Sequence, residues 1–318
     1  MIIPKKLSLA QIPTPLEEIK FEGKSFLIKR DDLTGCELSG NKVRKLEYLL
    51  AEAKHQRADL IFTSGGDQSN HARATVIASK KIGLNTKLFL WGKDAPVSNG
   101  NLFLDKMAGA NIQFFTKKEY EKVNDIMFEQ RLALLKKKKN AYVFPGGGST
   151  TLGIWGYINF IDELKKQVDL KKIDSIIAAC GSGGTAAGML VGAALNKLDV
   201  KIVAVHVLMS KSEMEKHILQ LAEGCVLDYK LKCKINPENL IVLDGYSKEG
   251  YKKISKPKVK LIKKFANETG ILFDPAYTGK AFKAYYDNYL IKGNGKRNIF
   301  VHTGGLFGIF SRTKEFLD

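Results

Sequence analysis

Three cations, Lys42, Arg44 and Lys45, follow "LSGN" at the start of a helix predicted by the spacing of Val43, Leu46, Leu49, Leu50 and Ala53, with Ser39 to Asn41 as its cap. A helix N-terminus carries roughly +0.5 charge, and each cation set there costs about 0.3–1 kcal/mol. A basic helix start calls for an anion or a change in the lysines' charge. A second segment, "SIIAACGSGGTAAGML", runs a buried strand into Gly181, Ser182, Gly183, Gly184 and Thr185 and then a helix of small residues. Such a turn exposes successive backbone amides at a helix start, which is chemistry for a phosphate. Gly181, Gly183 and Ala186 also match a dinucleotide fingerprint, but the acidic residue due at the end of the next strand is missing and Asp199 comes too early. No Lys-Ser/Thr pair follows the glycines, so a Walker loop is excluded, and a tight turn without a ligand remains the plain alternative.

Other candidates are weaker alone. "TSGGDQSNHARAT" ends a strand in two glycines and presents Ser69, Asn70 and His71 at a helix start, where serine and asparagine are also ordinary caps. Tyr277 and Thr278 in "DPAYTGKA" open a later helix after a turn signal, "FVHTGG" places His302 after a strand, and Tyr246 in "IVLDGYSKEG" reads equally as a half-buried tyrosine. There is no GxSxG elbow and no HExxH or other metal spacing.

The elements that position these residues alternate from about residue 59 onward. "ADLIFTSGG", "TKLFLWG", "NIQFF", "AYVFPGGG", "DSIIAAC", "KIVAVHVLM" and "RNIFVHTGG" read as strands, with helical patterns between them. That is the signature of α/β, doubly wound open sheets, in which ligands gather at the carboxyl ends of the strands. At 318 residues and 44% hydrophobic composition the chain can bury the core of two lobes. No apolar run approaches the roughly 20 residues that span a bilayer. Four scattered cysteines with no CxxC pair read as free thiols of a reducing compartment, so a cytoplasmic protein with no metal site is expected. The formal charge of +18 raises a polyanionic partner, but the lysines are dispersed and the run Lys136 to Lys139 suits a solvated helix end, so no specific nucleic acid and no membrane partner is expected.

Taken together, "RDDLTGCELSGNKVRKLEYL", "SGGDQSNHARAT", "GSGGTAAG", "DPAYTGKA" and "HTGG" resemble, in order and spacing, the pyridoxal-phosphate enzymes of the tryptophan-synthase-β fold (fold type II), in the branch of D-cysteine desulfhydrase and 1-aminocyclopropane-1-carboxylate deaminase. The resemblance implies that Lys42 forms the Schiff base with pyridoxal 5'-phosphate and that Lys45 and the Gly181–Thr185 loop hold its phosphate. It implies that Asn70 meets the ring hydroxyl, and that Ser69, His71, Tyr246 and Tyr277 line the substrate site with Asn70. Arg44 is left with an ion pair to Asp31, Asp32 or Glu47 as an open possibility. Residues 1–45 and 157–318 would form the large cofactor-binding domain and 46–156 the small domain, in a homodimer. Thr278 stands where the deaminases place a glutamate against the pyridine nitrogen, and His71 sides with the desulfhydrases. The expected reaction is α,β-elimination from D-cysteine to pyruvate, ammonia and hydrogen sulfide. The alternatives are the cyclopropane deaminase, a lyase of another β-substituted amino acid such as cysteate, and a cofactor-binding protein without turnover.

Overall fold

A computed structural model describes residues 1–95, 97–207, 210–293 and 297–317. Its strands are β1 (Leu16–Phe21), β2 (Lys24–Lys29), β3 (Leu60–Gly66), β4 (Asn85–Trp91), β5 (Asn111–Phe115), β6 (Ala141–Val143), β7 (Ser175–Cys180), β8 (Lys201–His206), β9 (Leu240–Leu243) and β10 (Asn298–Val301). They form two sheets, ordered β1-β2-β10-β7-β8-β9 and β5-β4-β3-β6. Only the β1–β2 hairpin pairs antiparallel among these; every other ladder is parallel. Leu208 and Met209, which the sequence pattern adds to β8, lie outside the described residues.

β7 explains the layering. It is buried along its whole length between β10 and β8. Because a strand alternates its faces, Ile176, Ala178 and Cys180 pack with the helices Trp155–Leu164, Gly184–Leu195 and Lys211–Asp228. Ile177 and Ala179 face the opposite way, with Phe300 and Val203, into an aromatic layer under the helices Lys256–Thr269 and Thr278–Tyr285. Phe265 stacks on Phe273 there at 4.5 Å. Helices therefore cover both faces, as a parallel sheet requires. The smaller sheet repeats this, with Phe62 and Phe89 facing the helix Val123–Lys136, and Leu88 and Leu90 facing Asn70–Lys81.

The sequence pattern left the N-terminal hairpin unread. Its turn is Glu22-Gly23, with φ of 50° and 73°, a left-handed pair that an Asn-Gly would have advertised more plainly. Among the described residues no helix is long and apolar enough to cross a membrane, and the four cysteines are free.

Candidate active site

The carboxyl ends of strands from both sheets converge on a cavity of about 750 Å³. Lys42, Lys45, Ser69, Asn70, His71, Tyr277 and the whole Gly181–Thr185 loop line it. The helix Lys42–His55 enters with its N-terminus at the cavity, yet Asn41 makes no capping bond. Its side chain works sideways instead. Nδ2 donates to Thr185 Oγ1 at 3.0 Å, and Oδ1 accepts from Lys42 Nζ at 2.8 Å.

The three cations of that first turn part company. Arg44 is buried and turns away from the cavity, donating to both oxygens of Asp31 at 2.8 and 2.9 Å and to Glu163 at 2.8 and 3.0 Å. Asp32 instead pairs with Arg30, and Glu47 with Lys6. Lys29 Nζ reaches Glu163 at 2.6 Å and Tyr157 donates to Asp31 at 2.5 Å, so two cations and two carboxylates close a neutral buried cluster. Lys42 Nζ lies 5.8 Å over the Tyr277 ring. Desolvation pushes its ammonium down to about 8 against the opposing pull of Asp274, with Arg73 adding to the depression. A readily accessible neutral amine is the form that attacks an aldehyde. Lys45 is held well below the usual lysine range by desolvation and by Lys42.

Lys45 Nζ donates to Gly147 O and Ser149 Oγ, both at 3.1 Å. Ser149 Oγ also accepts from Gly184 N at 3.1 Å and meets Ser182 Oγ at 2.8 Å. A Cβ on Gly184 would strike Ser149 Oγ and stand 2.8 Å from Lys45 Nζ. Lysine, two serine hydroxyls and the amides opening the helix Gly184–Leu195 thus share a cradle that a side chain on Gly184 would fill. This donor set fits the phosphate of pyridoxal phosphate, and Lys42 fits its aldehyde.

Ser69 caps the helix Asn70–Lys81, its Oγ accepting from Ala72 N at 3.2 Å, and still lines the cavity. Asn70 Oδ1 accepts from Asn101 Nδ2 at 2.9 Å. The His71 ring is turned into the core: Nε2 meets Thr63 Oγ1 at 2.9 Å, and that hydroxyl donates to Phe144 O at 3.0 Å. Thr63 having spent its proton, Nε2 carries the imidazole hydrogen and Nδ1 is bare. Desolvation, then Lys42 and Lys45, hold His71 neutral.

Two expected residues stand elsewhere. Tyr246 is absent from the cavity wall; its phenol accepts from Asn288 Nδ2 at 2.8 Å on the side of the aromatic layer. Tyr251 takes the place by the cavity, its ring 5.4 Å from Tyr277, and burial lifts its phenol to about 12. Thr278 is fully buried behind the wall, because Asp274 Oδ1 takes its amide at 2.6 Å and turns its hydroxyl onto Gly304 O at 2.9 Å. Thr303, whose Oγ1 lies 3.2 Å from Thr278 Oγ1, is the residue of the pair that lines the cavity. Across the mouth, Lys252 lies 4.2 Å over Trp91 and donates to Asp67 at 2.8 Å, joining the two sheets' loops.

Ser149, Thr303 and Tyr251 had sequence signals: each lies inside or within five residues of a segment singled out for its glycines or tyrosine. Among the described residues no group of three His, Cys, Asp or Glu side chains could hold a metal.

Comparison with known proteins agrees with the cradle. Residues 7–304 match the family described as "Pyridoxal-phosphate dependent enzyme". The chain is 37% identical to the "Bifunctional D-cysteine desulfhydrase/1-aminocyclopropane-1-carboxylate deaminase, mitochondrial" of Arabidopsis thaliana, covering 97% of this chain and 80% of that one. It is 32% identical to the "D-cysteine desulfhydrase" of Salmonella paratyphi C over 96% of this chain and 95% of the other. A crystal structure of an "ACC deaminase homologue" superposes with a TM-score of 0.89 at 35% identity, covering 99% of this chain and 96% of that chain. With a lysine poised at a phosphate cradle and a family match over nearly its whole length, this chain belongs to the pyridoxal-phosphate-dependent enzymes of fold type II.

Proposed function

We propose that this enzyme is a lyase that takes D-cysteine, with one water, to pyruvate, ammonia and hydrogen sulfide by α,β-elimination. The observation that carries the reading is that a neutral residue, Thr303, lines the cavity, with the hydroxyl of the buried Thr278 3.2 Å from its own. Opening a carbon ring, which has no leaving group to take the electrons, calls for a carboxylate there to keep the pyridine nitrogen protonated. A departing thiolate carries its own electron pair away, so a hydroxyl suffices. The names of the Arabidopsis and Salmonella relatives support a sulfide-releasing activity.

When bound, pyridoxal phosphate supplies the electron sink for the bond broken at Cα. Lys45, Ser149, Ser182 and the loop amides would hold its phosphate, and Lys42 its aldehyde. The Lys42 amino group, whose ammonium is lowered by burial to about 8, would be the base for the Cα proton. The Ser69 hydroxyl and the amides opening the helix Asn70–Lys81 bind the substrate carboxylate. Burial keeps the phenols of Tyr251 and Tyr277 protonated, so either can donate a hydrogen bond to the departing sulfur.

Residues 1–45 with 157–318 form the large lobe and 46–156 the small lobe of a cytoplasmic homodimer; the two separate sheets support the division. Pyruvate, sulfide and 2-oxobutyrate release across D- and L-amino acids and the cyclopropane amino acid tests the reading. Sulfide with pyruvate from D-cysteine, and little or no 2-oxobutyrate, is the expected result. Efficient ring opening overturns the substrate assignment, and release from cysteate in place of D-cysteine redirects it.

A further inference from the structure

Asn70 meets the cavity with an amide, and the groups behind it decide which end it shows. Arg73 is fully buried, with Nη1 donating to Glu37 O, Nη2 donating to Ser39 O at 2.8 Å, and its face on the Phe307 ring at 4.9 Å. Its Nε donates to Asn101 Oδ1 at 2.9 Å. A guanidinium can only donate. Asn101, itself fully buried, must therefore turn its oxygen to Arg73 and its Nδ2 away. That Nδ2 has two hydrogens and two acceptors, Gln68 O at 3.0 Å and Asn70 Oδ1 at 2.9 Å. The backbone amide of Asn101 is fixed as well, donating to Gln68 Oε1 at 3.0 Å. One link is donor only and another acceptor only, so the chain has a single polarity. Reversing the Asn70 amide would set two NH2 groups against each other.

We propose that Asn101, backed by Arg73, is a positioning residue that locks Asn70 with its Nδ2 facing the cavity, as an obligatory hydrogen-bond donor to the ring oxygen of the cofactor. A fixed donor there favours the deprotonated oxygen and with it the yellow form of the bound cofactor. Without the lock, the amide could turn its carbonyl to that oxygen and repel it. This rests on the placement of pyridoxal phosphate in this cavity.

The test uses the full-length apoprotein titrated with pyridoxal phosphate. Asn101→Asp keeps the size and the acceptor for Arg73, but its other oxygen cannot donate, so Asn70 must give it Nδ2 and show Oδ1 to the cavity. The expected result is an about tenfold loss of cofactor affinity, as for one lost charge-assisted bond, with the visible band giving way to a near-ultraviolet one. In an Asn70→Ala background the same substitution costs less than about twofold, because the effect travels through Asn70. An unchanged band and affinity in the single variant, or the same loss in both backgrounds, overturns the proposal. If thermal melting shows that Asn101→Asp does not fold, Asn101→Ala carries the same cycle with an about threefold loss, and its indifference is equally fatal. A wild-type protein that fails to take up pyridoxal phosphate overturns the cofactor placement itself; uptake by the wild type with an indifferent variant removes this inference alone.

Discussion

Replacing Glu163 by glutamine removes one charge from the buried cluster that anchors the helix bearing Lys42. Glu163 accepts from Arg44 and from Lys29, and these two cations outweigh its desolvation to bring its carboxyl from 4.5 to about 2. At about 1.4 kcal/mol per pH unit, that gap contributes about 3 kcal/mol to folding at neutral pH. The same figure sits at the lower end of the cost of breaking a buried ion pair, about 3–5 kcal/mol. The sign follows from the depressed value: the contribution is complete above 4.5 and fades as the pH falls through about 2. Urea unfolding of apoprotein and variant at a series of pH values measures it. The difference in unfolding free energy is expected to be about 3 kcal/mol at pH 7, about 1.4 kcal/mol at pH 3, and close to zero below pH 2. A difference at pH 7 under about 0.5 kcal/mol, or one as large at pH 3 as at pH 7, refutes the argument.

Two further outcomes follow from the cavity. Because the Lys42 amine titrates at about 8, the rate at which apoprotein captures pyridoxal phosphate should climb with pH and level off above that value; stopped-flow absorbance reads it, borohydride should fix the cofactor to wild type but not to Lys42→Ala, and a flat profile from pH 6 to 9 would be contrary. In Gly184→Ala the new methyl enters the space shared by Ser149 and Lys45, so affinity for pyridoxal phosphate should drop about tenfold to a hundredfold while affinity for phosphate-free pyridoxal holds, as paired titrations would show.

The sequence made the sheet plan readable because several parallel strands end in glycines: "SGG" closes β3 and "GSGG" follows β7, where backbone must come close to a ligand. Strands buried on both faces also read as plain apolar runs, as β7 does. What escaped was set by tertiary packing. Arg44 could be matched to Asp31 by composition alone, but Glu163 lies 119 residues away and only the fold brings it near. Tyr246 and Tyr251 look alike in a loop of Gly, Lys and Ser; Asn288 binds the first and Tyr277 packs on the second. Thr278 and Thr303 are neighbours only because a helix start and a strand end abut, and the hydrogen bond from Thr278 N to Asp274 decides which of them is hidden. The relay from Arg73 through Asn101 to Asn70 joins two helices over 31 residues and carries no motif at all.

The lysine seated on Trp91 has an optical consequence. The chain has two tryptophans. Trp155 is 4% exposed within the core, whereas Trp91 forms part of the cavity wall beneath Lys252. Intrinsic fluorescence therefore comes from a buried indole and from one that shares its space with whatever binds. A visible-absorbing guest drains the excitation of the second indole by energy transfer, and any parting of Lys252 from Asp67 changes the polarity that indole feels. Emission intensity and wavelength together report occupancy and opening of the cavity in unlabelled protein, with Trp91→Phe as the blank.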